Sequence, residues 1–109
     1  MKFSKSNLDR MADQRVERFY LRLAEYLRQN VPEAKPMTQH ELIAHVREAS
    51  RVARDHGFRC EQALAFWSEV SLREGSGVWF DSAIQPALKD REAAEADRVT
   101  RAIDALEAA

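Results

Sequence analysis

The stretch Met37–Asp81, MTQHELIAHVREASRVARDHGFRCEQALAFWSEVSLREGSGVWFD, decides the fold because its local signals predict two helices joined by a tight corner. Thr38 and Glu41 have the spacing of a capping box, in which each side chain satisfies a backbone N–H at the start of a helix. Gly57 suits the left-handed residue that commonly ends a helix. The stretch therefore predicts one helix before Gly57 and a second helix after it.

Outside this stretch, apolar residues recur every three or four positions, which is the period of a helix with one buried face. Pro32 and Pro36 predict an extended connector after the first helix. Pro86 is compatible with a short helix if it lies in the first turn. Asp81 and Asp90 are the expected caps of the last two helices. The predicted helices cover residues 7–29, 39–56, 60–74, 82–88 and 91–107.

These elements predict an all-α fold, a single small helical bundle of four to five helices within one domain, residues 1–109. Residues 7–88 should form the bundle and its core. The large side chains expected to dominate burial are Phe19, Leu23, Val46, Phe66 and Val70. Each should contribute about 1.5–3 kcal/mol when it is fully buried.

The C-terminal helix, residues 91–107, has a thin apolar stripe and is expected to be peripheral. Its large residues Val99, Ile103 and Leu106 are spaced four and three apart, as on a short coiled-coil seam. An isolated helix of this length is marginal in water, so its stripe should be covered. Two interpretations remain open: docking on its own domain, and binding of a second chain, either a partner or another copy in a homo-oligomer.

Composition excludes some classes of function. The 109 residues include 17 basic and 18 acidic ones, giving a formal net charge of −1. Without a global positive field, binding to nucleic acid or to an anionic membrane is not expected as a main role. The single cysteine, Cys60, excludes an internal disulfide. Because no apolar run has the length of a signal peptide or a membrane span, a cytoplasmic protein is expected.

No residue pattern predicts catalysis, a cofactor or a metal site. His40, His45 and His56 are dispersed, without the spacing of three or four that places ligands on one helix face. Cys60 has no evident partner base and is expected to be a small buried hydrophobic residue. The run Gly75–Gly77 lacks the Lys-Ser/Thr pair of a phosphate-binding loop. The chain is therefore predicted not to be an enzyme.

Aromatic residues are the candidates for a partner-binding surface. Three large aromatic residues, Trp67, Trp79 and Phe80, are a high number for a chain of this size. Aromatic residues often carry most of the binding energy of an interface. The alternative is that the same three residues fill the core. The corner at Gly57 also has the spacing of a helix-turn-helix, although Glu61 and other carboxylates of the following helix would face phosphates. A DNA-binding regulator is therefore the less favoured alternative.

A loose pattern of hydrophobic residues with one Gly-Phe corner and a late Phe-Asp pair covers roughly residues 16–90. Its parts are Phe19-x3-Leu23-x2-Tyr26-Leu27-Arg28, Pro32, Arg47-Glu48-Ala49-x3-Ala53-x3-Gly57-Phe58, then Glu61, Leu64, Phe66 and Trp67, then Gly75 or Gly77, Phe80-Asp81 and Pro86-Ala87-Leu88. The pattern resembles that of small helical proteins encoded beside type VI secretion effectors, spike proteins and adaptors in Gram-negative bacteria. The resemblance implies a non-catalytic adaptor or co-chaperone for a secreted effector or spike protein. The alternative within protein binding is an immunity protein that neutralises a toxin.

Overall fold

The computed structural model describes the backbone of residues 5–108 and the side chains of residues 14–108. Within this part the protein is all-α, which confirms the predicted small helical bundle. Two short 3-10 helices, Pro32–Ala34 and Ser76–Phe80, lie in the connectors. The α-helices are α1 (Lys5–Asn30), α2 (Gln39–Asp55), α3 (Glu61–Glu74), α4 (Gln85–Lys89) and α5 (Glu95–Glu107).

The corner between α2 and α3 forms as the sequence predicts. The Glu41 N–H donates to Thr38 Oγ1 at 3.1 Å, and the Thr38 N–H donates to Glu41 Oε1 at 2.8 Å. Gly57 has φ +92°, the left-handed conformation that disfavours any side chain. The N–H of Phe58 then returns to the carbonyl of Ala53 at 3.1 Å. The capping box and the glycine together fix where α2 begins and ends.

The core lies on both sides of α2. One cluster joins α1 to α2, and the other surrounds α3 and the segments after it. Among the predicted core residues, Leu23, Val46 and Val70 are buried. Phe19 and Phe66 are only half-buried, because each packs at the edge of a cluster.

The short helix α4 begins three residues later than predicted, at Gln85. Asp81 is not its cap, because the Asp81 carboxylate accepts the N–H of Ala83 at 2.9 Å and stabilises a turn before the helix. Ile84 occupies the cap position. Pro86 does lie in the first turn, where its missing N–H costs nothing.

The last helix, α5, begins at Glu95 rather than at residue 91, so Asp90 is not its cap. The Asp90 carboxylate instead accepts a hydrogen bond from Arg101 Nη1 at 3.1 Å. Ala94 precedes the helix and has no side chain that could cap it. The cap prediction was wrong because α5 begins later than predicted, with Ala94 and not Asp90 at its cap position.

The helix α5 docks on its own bundle, which is the first of the two interpretations of its stripe. Arg98 and Ala102 are buried, and Val99 and Leu106 pack against the cluster around α3. Ile103 is 37% exposed, since each helical residue is rotated by about 100° from the one before it. The face of α5 that docks is therefore centred on Arg98 and Ala102. The stripe predicted from Val99, Ile103 and Leu106 lies to one side of that face.

Arg98 joins α5 to the ends of two other helices. Its Nε donates to Ala87 O at 2.8 Å, and its Nη2 donates to Leu88 O at 2.6 Å and to His56 O at 2.8 Å. The guanidinium carbon lies 3.9 Å from the centre of the Phe58 ring. Burial lowers the pKa of Arg98, which nevertheless stays charged at any physiological pH. The terminal carbonyls of α2 and α4 thus have a cation as their donor.

Cys60, at the N-cap position of α3, makes no capping hydrogen bond with its own side chain, and Glu95 of α5 caps the helix instead. The Glu95 Oε1 accepts the N–H of Arg59 at 2.6 Å and the N–H of Cys60 at 3.1 Å. Burial alone would raise the pKa of Glu95, but the backbone N–H groups of Arg59 and Cys60, the Cys60 thiol and the charge of Arg98 together lower it. Cys60 itself is exposed, so the prediction of a buried cysteine was wrong.

Candidate partner-binding groove

A groove remains open between α1 and α3. Both helices pack on α2, and polar side chains link them across the seam at Arg22–Glu61, at Tyr26–Glu69 and at Arg73–Asn30. Two adjoining cavities of about 600 Å³ and 290 Å³ follow this seam. The apolar residues that line them are Val16, Phe19, Leu23, Leu64 and Ala65.

The rim of the groove is cationic. Arg54 Nη1 donates to the Tyr20 hydroxyl at 3.0 Å, and Arg59 Nη1 donates to the Arg54 carbonyl at 3.2 Å, so these two guanidinium groups are held in place. Glu61 is the one acidic residue among the described lining residues, and it lies 3.6 Å from Arg22 in an ion pair exposed to solvent. The arginines of the rim are Arg15, Arg18, Arg22, Arg54 and Arg59.

Charge is graded along the groove. The larger cavity is lined by all five rim arginines and Glu61, whereas the smaller cavity has one arginine, Arg22, and the same Glu61. The other residues that line the smaller cavity are Phe19, Leu23, Tyr26, Gln62 and Ala65. The Tyr26 hydroxyl donates to Glu69 at 3.1 Å, and the charge of Glu69 raises the pKa of Tyr26. The groove therefore has a cationic end and a more apolar end with an uncharged tyrosine.

The aromatic residues chosen from the sequence have three different environments. Trp67 is completely buried, 4.9 Å from Phe66 and 5.5 Å from Phe58 between ring centres, so it belongs to the core and not to an interface. This corrects the prediction for Trp67: its large apolar ring is the centre about which α3 packs. Trp79 is half-buried and stacks on Trp67 at 5.0 Å. Phe80 is 85% exposed.

The remaining candidate residues do not converge on one surface. Phe80 lines neither cavity of the groove. A single exposed hydrophobic residue is common on protein surfaces, so Phe80 alone does not define a site. Val99 and Leu106 pack on the core cluster, which leaves Ile103 as the exposed large residue of the α5 stripe.

His45 and Ser71 lie close together but lack the arrangement of a catalytic base and nucleophile. His45 Nε2 is 2.9 Å from Ser68 O and 3.2 Å from Ser71 Oγ. A carbonyl only accepts, so Nε2 must carry the proton to bond it and cannot then take one from Ser71. The pair therefore links α2 to α3. Among the described residues, no three side chains of the metal-binding types converge on one point.

The groove was missed in the sequence because Phe19 and Leu23 were expected to lie in the core, covered by a neighbouring helix. Arg15, Arg18 and Arg22 are spaced three and four apart, which places them on one side of α1 beside Phe19. That spacing was the available signal. No helix of the described residues is long and apolar enough to cross a membrane. Comparisons with family models, curated proteins and solved structures gave no match.

Proposed function

We propose that this chain is a non-catalytic protein-binding accessory factor and that the α1–α3 groove is its binding site. The observation that supports this function is a groove in which the partly exposed Val16 and the half-buried Phe19 lie among the arginines of a cationic rim. Grooves of this form bind an amphipathic segment of a partner, whose apolar face covers the exposed apolar side chains. No arrangement of side chains described above favours catalysis.

The specific role we propose is an adaptor or co-chaperone for a secreted type VI effector or spike protein, acting in the cytoplasm before secretion. The sequence pattern from Phe19 to Leu88 supports this choice through its resemblance to accessory proteins of that system. The alternative is an immunity protein, a class that often presents an acidic or substrate-mimicking face. The basic rim of the groove favours the adaptor.

A DNA-binding role is disfavoured by the start of α3, the helix that would enter the DNA groove. The first residues of a recognition helix approach base edges and phosphates. Here the Glu95 carboxylate already occupies the N–H groups of Arg59 and Cys60, and Glu61 follows. Negative charge at that position would repel the phosphate backbone.

Affinity purification of the tagged chain from its native bacterium, followed by reconstitution with the purified partner, tests the proposal. The groove-filling variant Ala65→Trp is compared with Ala44→Trp, which adds the same side chain at an exposed position of α2 outside the groove. Both variants must first show the melting temperature of the native chain. An effector or spike protein should be recovered with the native chain and with Ala44→Trp, and lost with Ala65→Trp.

Recovery of nucleic acid without an effector or spike protein would overturn the proposal. Equal recovery of the partner with both tryptophan variants would show that the groove is not the binding site. Co-expression with the neighbouring toxin distinguishes the two roles. An immunity protein restores growth, whereas an adaptor raises the solubility or secretion of the effector without protecting the cell.

A further inference from the structure

We infer that the occupant of the groove is an acidic amphipathic helix of the partner protein. This inference rests on the proposed function and specifies the chemistry of the binding partner. The seam follows α1 from Arg15 to Tyr26, which at 1.5 Å per residue is about 16 Å, or three helical turns. A short helical segment matches this length.

Charge complementarity selects an acidic occupant. Among the described residues, five arginines and one glutamate line the larger cavity, although the whole chain has a net charge of −1. Positive charge is thus concentrated at the groove and is not a property of the whole surface. Guanidinium groups pair with carboxylates through two parallel hydrogen bonds, and Arg54 and Arg59 are already held by bonds within the chain.

The apolar surface of the groove favours a protein over a nucleic acid. Val16 and Phe19 expose apolar surface among the arginines of the larger cavity, so an occupant must offer apolar side chains as well as negative charge. An amphipathic helix offers both, with a row of apolar residues between acidic flanks. A nucleic acid would match the arginines through its phosphates but would offer no row of apolar side chains to Val16 and Phe19.

The grading of charge also predicts where the acidic residues of the occupant lie. They should cluster at the end that faces Arg15, Arg18, Arg54 and Arg59. Large apolar residues should face the end with Leu23, Tyr26 and Ala65. A helix with its acidic residues concentrated at one end therefore fits better than one with charges spread evenly.

Fluorescence anisotropy of a labelled synthetic peptide tests this inference on the full chain. The probe has leucines every three or four residues over about three turns and glutamates concentrated at one end. A peptide of the same composition in scrambled order removes the apolar face, and a peptide with lysine in place of glutamate reverses the charge. A single-stranded oligonucleotide serves as the nucleic-acid probe.

Two double variants of the chain distinguish an effect of the rim arginines on binding from a general effect of charge reversal. The variant Arg15→Glu with Arg18→Glu reverses two rim charges, whereas Lys35→Glu with Lys89→Glu makes the same change at exposed positions that line neither cavity. The rim variant should raise the Kd for the acidic peptide about tenfold or more, since two attractive pairs become repulsive. The lysine variant should change the Kd by less than about twofold.

Binding of the acidic peptide that is lost in the rim variant supports the inference. No binding of that peptide, equal binding of its scrambled or lysine form, or equal binding by the rim variant overturns it. Tighter binding of the oligonucleotide overturns it as well. If the peptide fails while a native partner is still recovered, the accessory function stands and the partner uses another surface or chemistry.

Discussion

The two flanks of α3 differ in how the protein uses arginine. On the flank that α5 covers, Arg98 is buried, its guanidinium donates to three carbonyls and lies over the Phe58 ring, and Phe58 and Trp67 are fully buried. On the flank that faces α1, the rim arginines surround a floor that includes the half-buried Phe19. Within the described residues, the chain covers the first flank with its own α5, whereas no other helix covers the second flank.

This difference separates a structural arginine from one available for binding. Arg98 is buried and its Nε and Nη2 donate to carbonyls of the chain, so its charge fixes the position of α5 and is not accessible to a partner. Arg15 and Arg18 are exposed beside uncovered apolar surface, where a second molecule gains both burial and charge pairing. The following predictions test this distinction, from the largest expected effect to the smallest.

Trp67→Ala should lower the free energy of unfolding by about 3–5 kcal/mol, because it empties the centre of the closed flank. Phe80→Ala, its aromatic control, should change stability by less than about 0.5 kcal/mol, since Phe80 is 85% exposed. Urea unfolding followed by circular dichroism measures both. Equal losses for the two variants would mean that Trp67 is not the packing centre.

Arg98→Met should destabilise the protein by about 2–4 kcal/mol, because three carbonyls lose a charged donor while the cost of burying the charge is removed. Arg101→Met is the matched control, since Arg101 makes one solvent-exposed ion pair with Asp90, and it should cost less than about 1 kcal/mol. The same unfolding experiment applies. A neutral result at Arg98 would show that the closed flank does not depend on this residue.

Glu95→Gln should cost about 1 kcal/mol at neutral pH, because it weakens the cap of α3. The pKa of Glu95 is lowered in the folded protein, so its contribution is present above the unfolded pKa, about 4.3, and is lost as pH falls through the lower folded value. The stability difference between the native chain and Glu95→Gln should therefore shrink below about pH 4. A stability difference that stays the same at every pH would show that the charge of the Glu95 carboxylate does not cause the effect.

Arg15→Glu combined with Arg18→Glu should change the free energy of unfolding by less than about 0.5 kcal/mol, the smallest effect of the series. Both residues are exposed on α1 and belong to the open flank. Chemical denaturation of this variant beside the native chain measures the change. A loss as large as that of Arg98→Met would show that the rim arginines hold the fold.

Local structure could be predicted from the sequence because its causes lie within a few residues. Thr38 and Glu41 are three positions apart, and Gly57 acts through its own backbone conformation. The features that were missed depend on distant residues. Glu95 caps a helix start 36 positions earlier at Arg59, and Arg98 binds a carbonyl 42 positions earlier at His56. No short-range pattern records such contacts.

The groove was hidden for a related reason. Periodicity in α1 identifies an apolar face that includes Phe19 and Leu23, but it cannot tell which part of that face a neighbouring helix covers. Residue type did not separate Trp67 from Phe80 either, although one is fully buried and the other is 85% exposed. Coverage is decided by how α3 and α5 pack, which follows from contacts across the whole bundle.

The most direct test of the groove as the binding site is nuclear magnetic resonance of the ¹⁵N-labelled chain titrated with the acidic amphipathic peptide. Chemical-shift changes should be confined to residues 15–26 of α1, the segment around Arg54 and Arg59, and residues 61–65 of α3. Changes centred on Ser76–Phe80 or on the exposed side of α5, with the α1 signals unmoved, would contradict the assignment of the open flank as the binding surface.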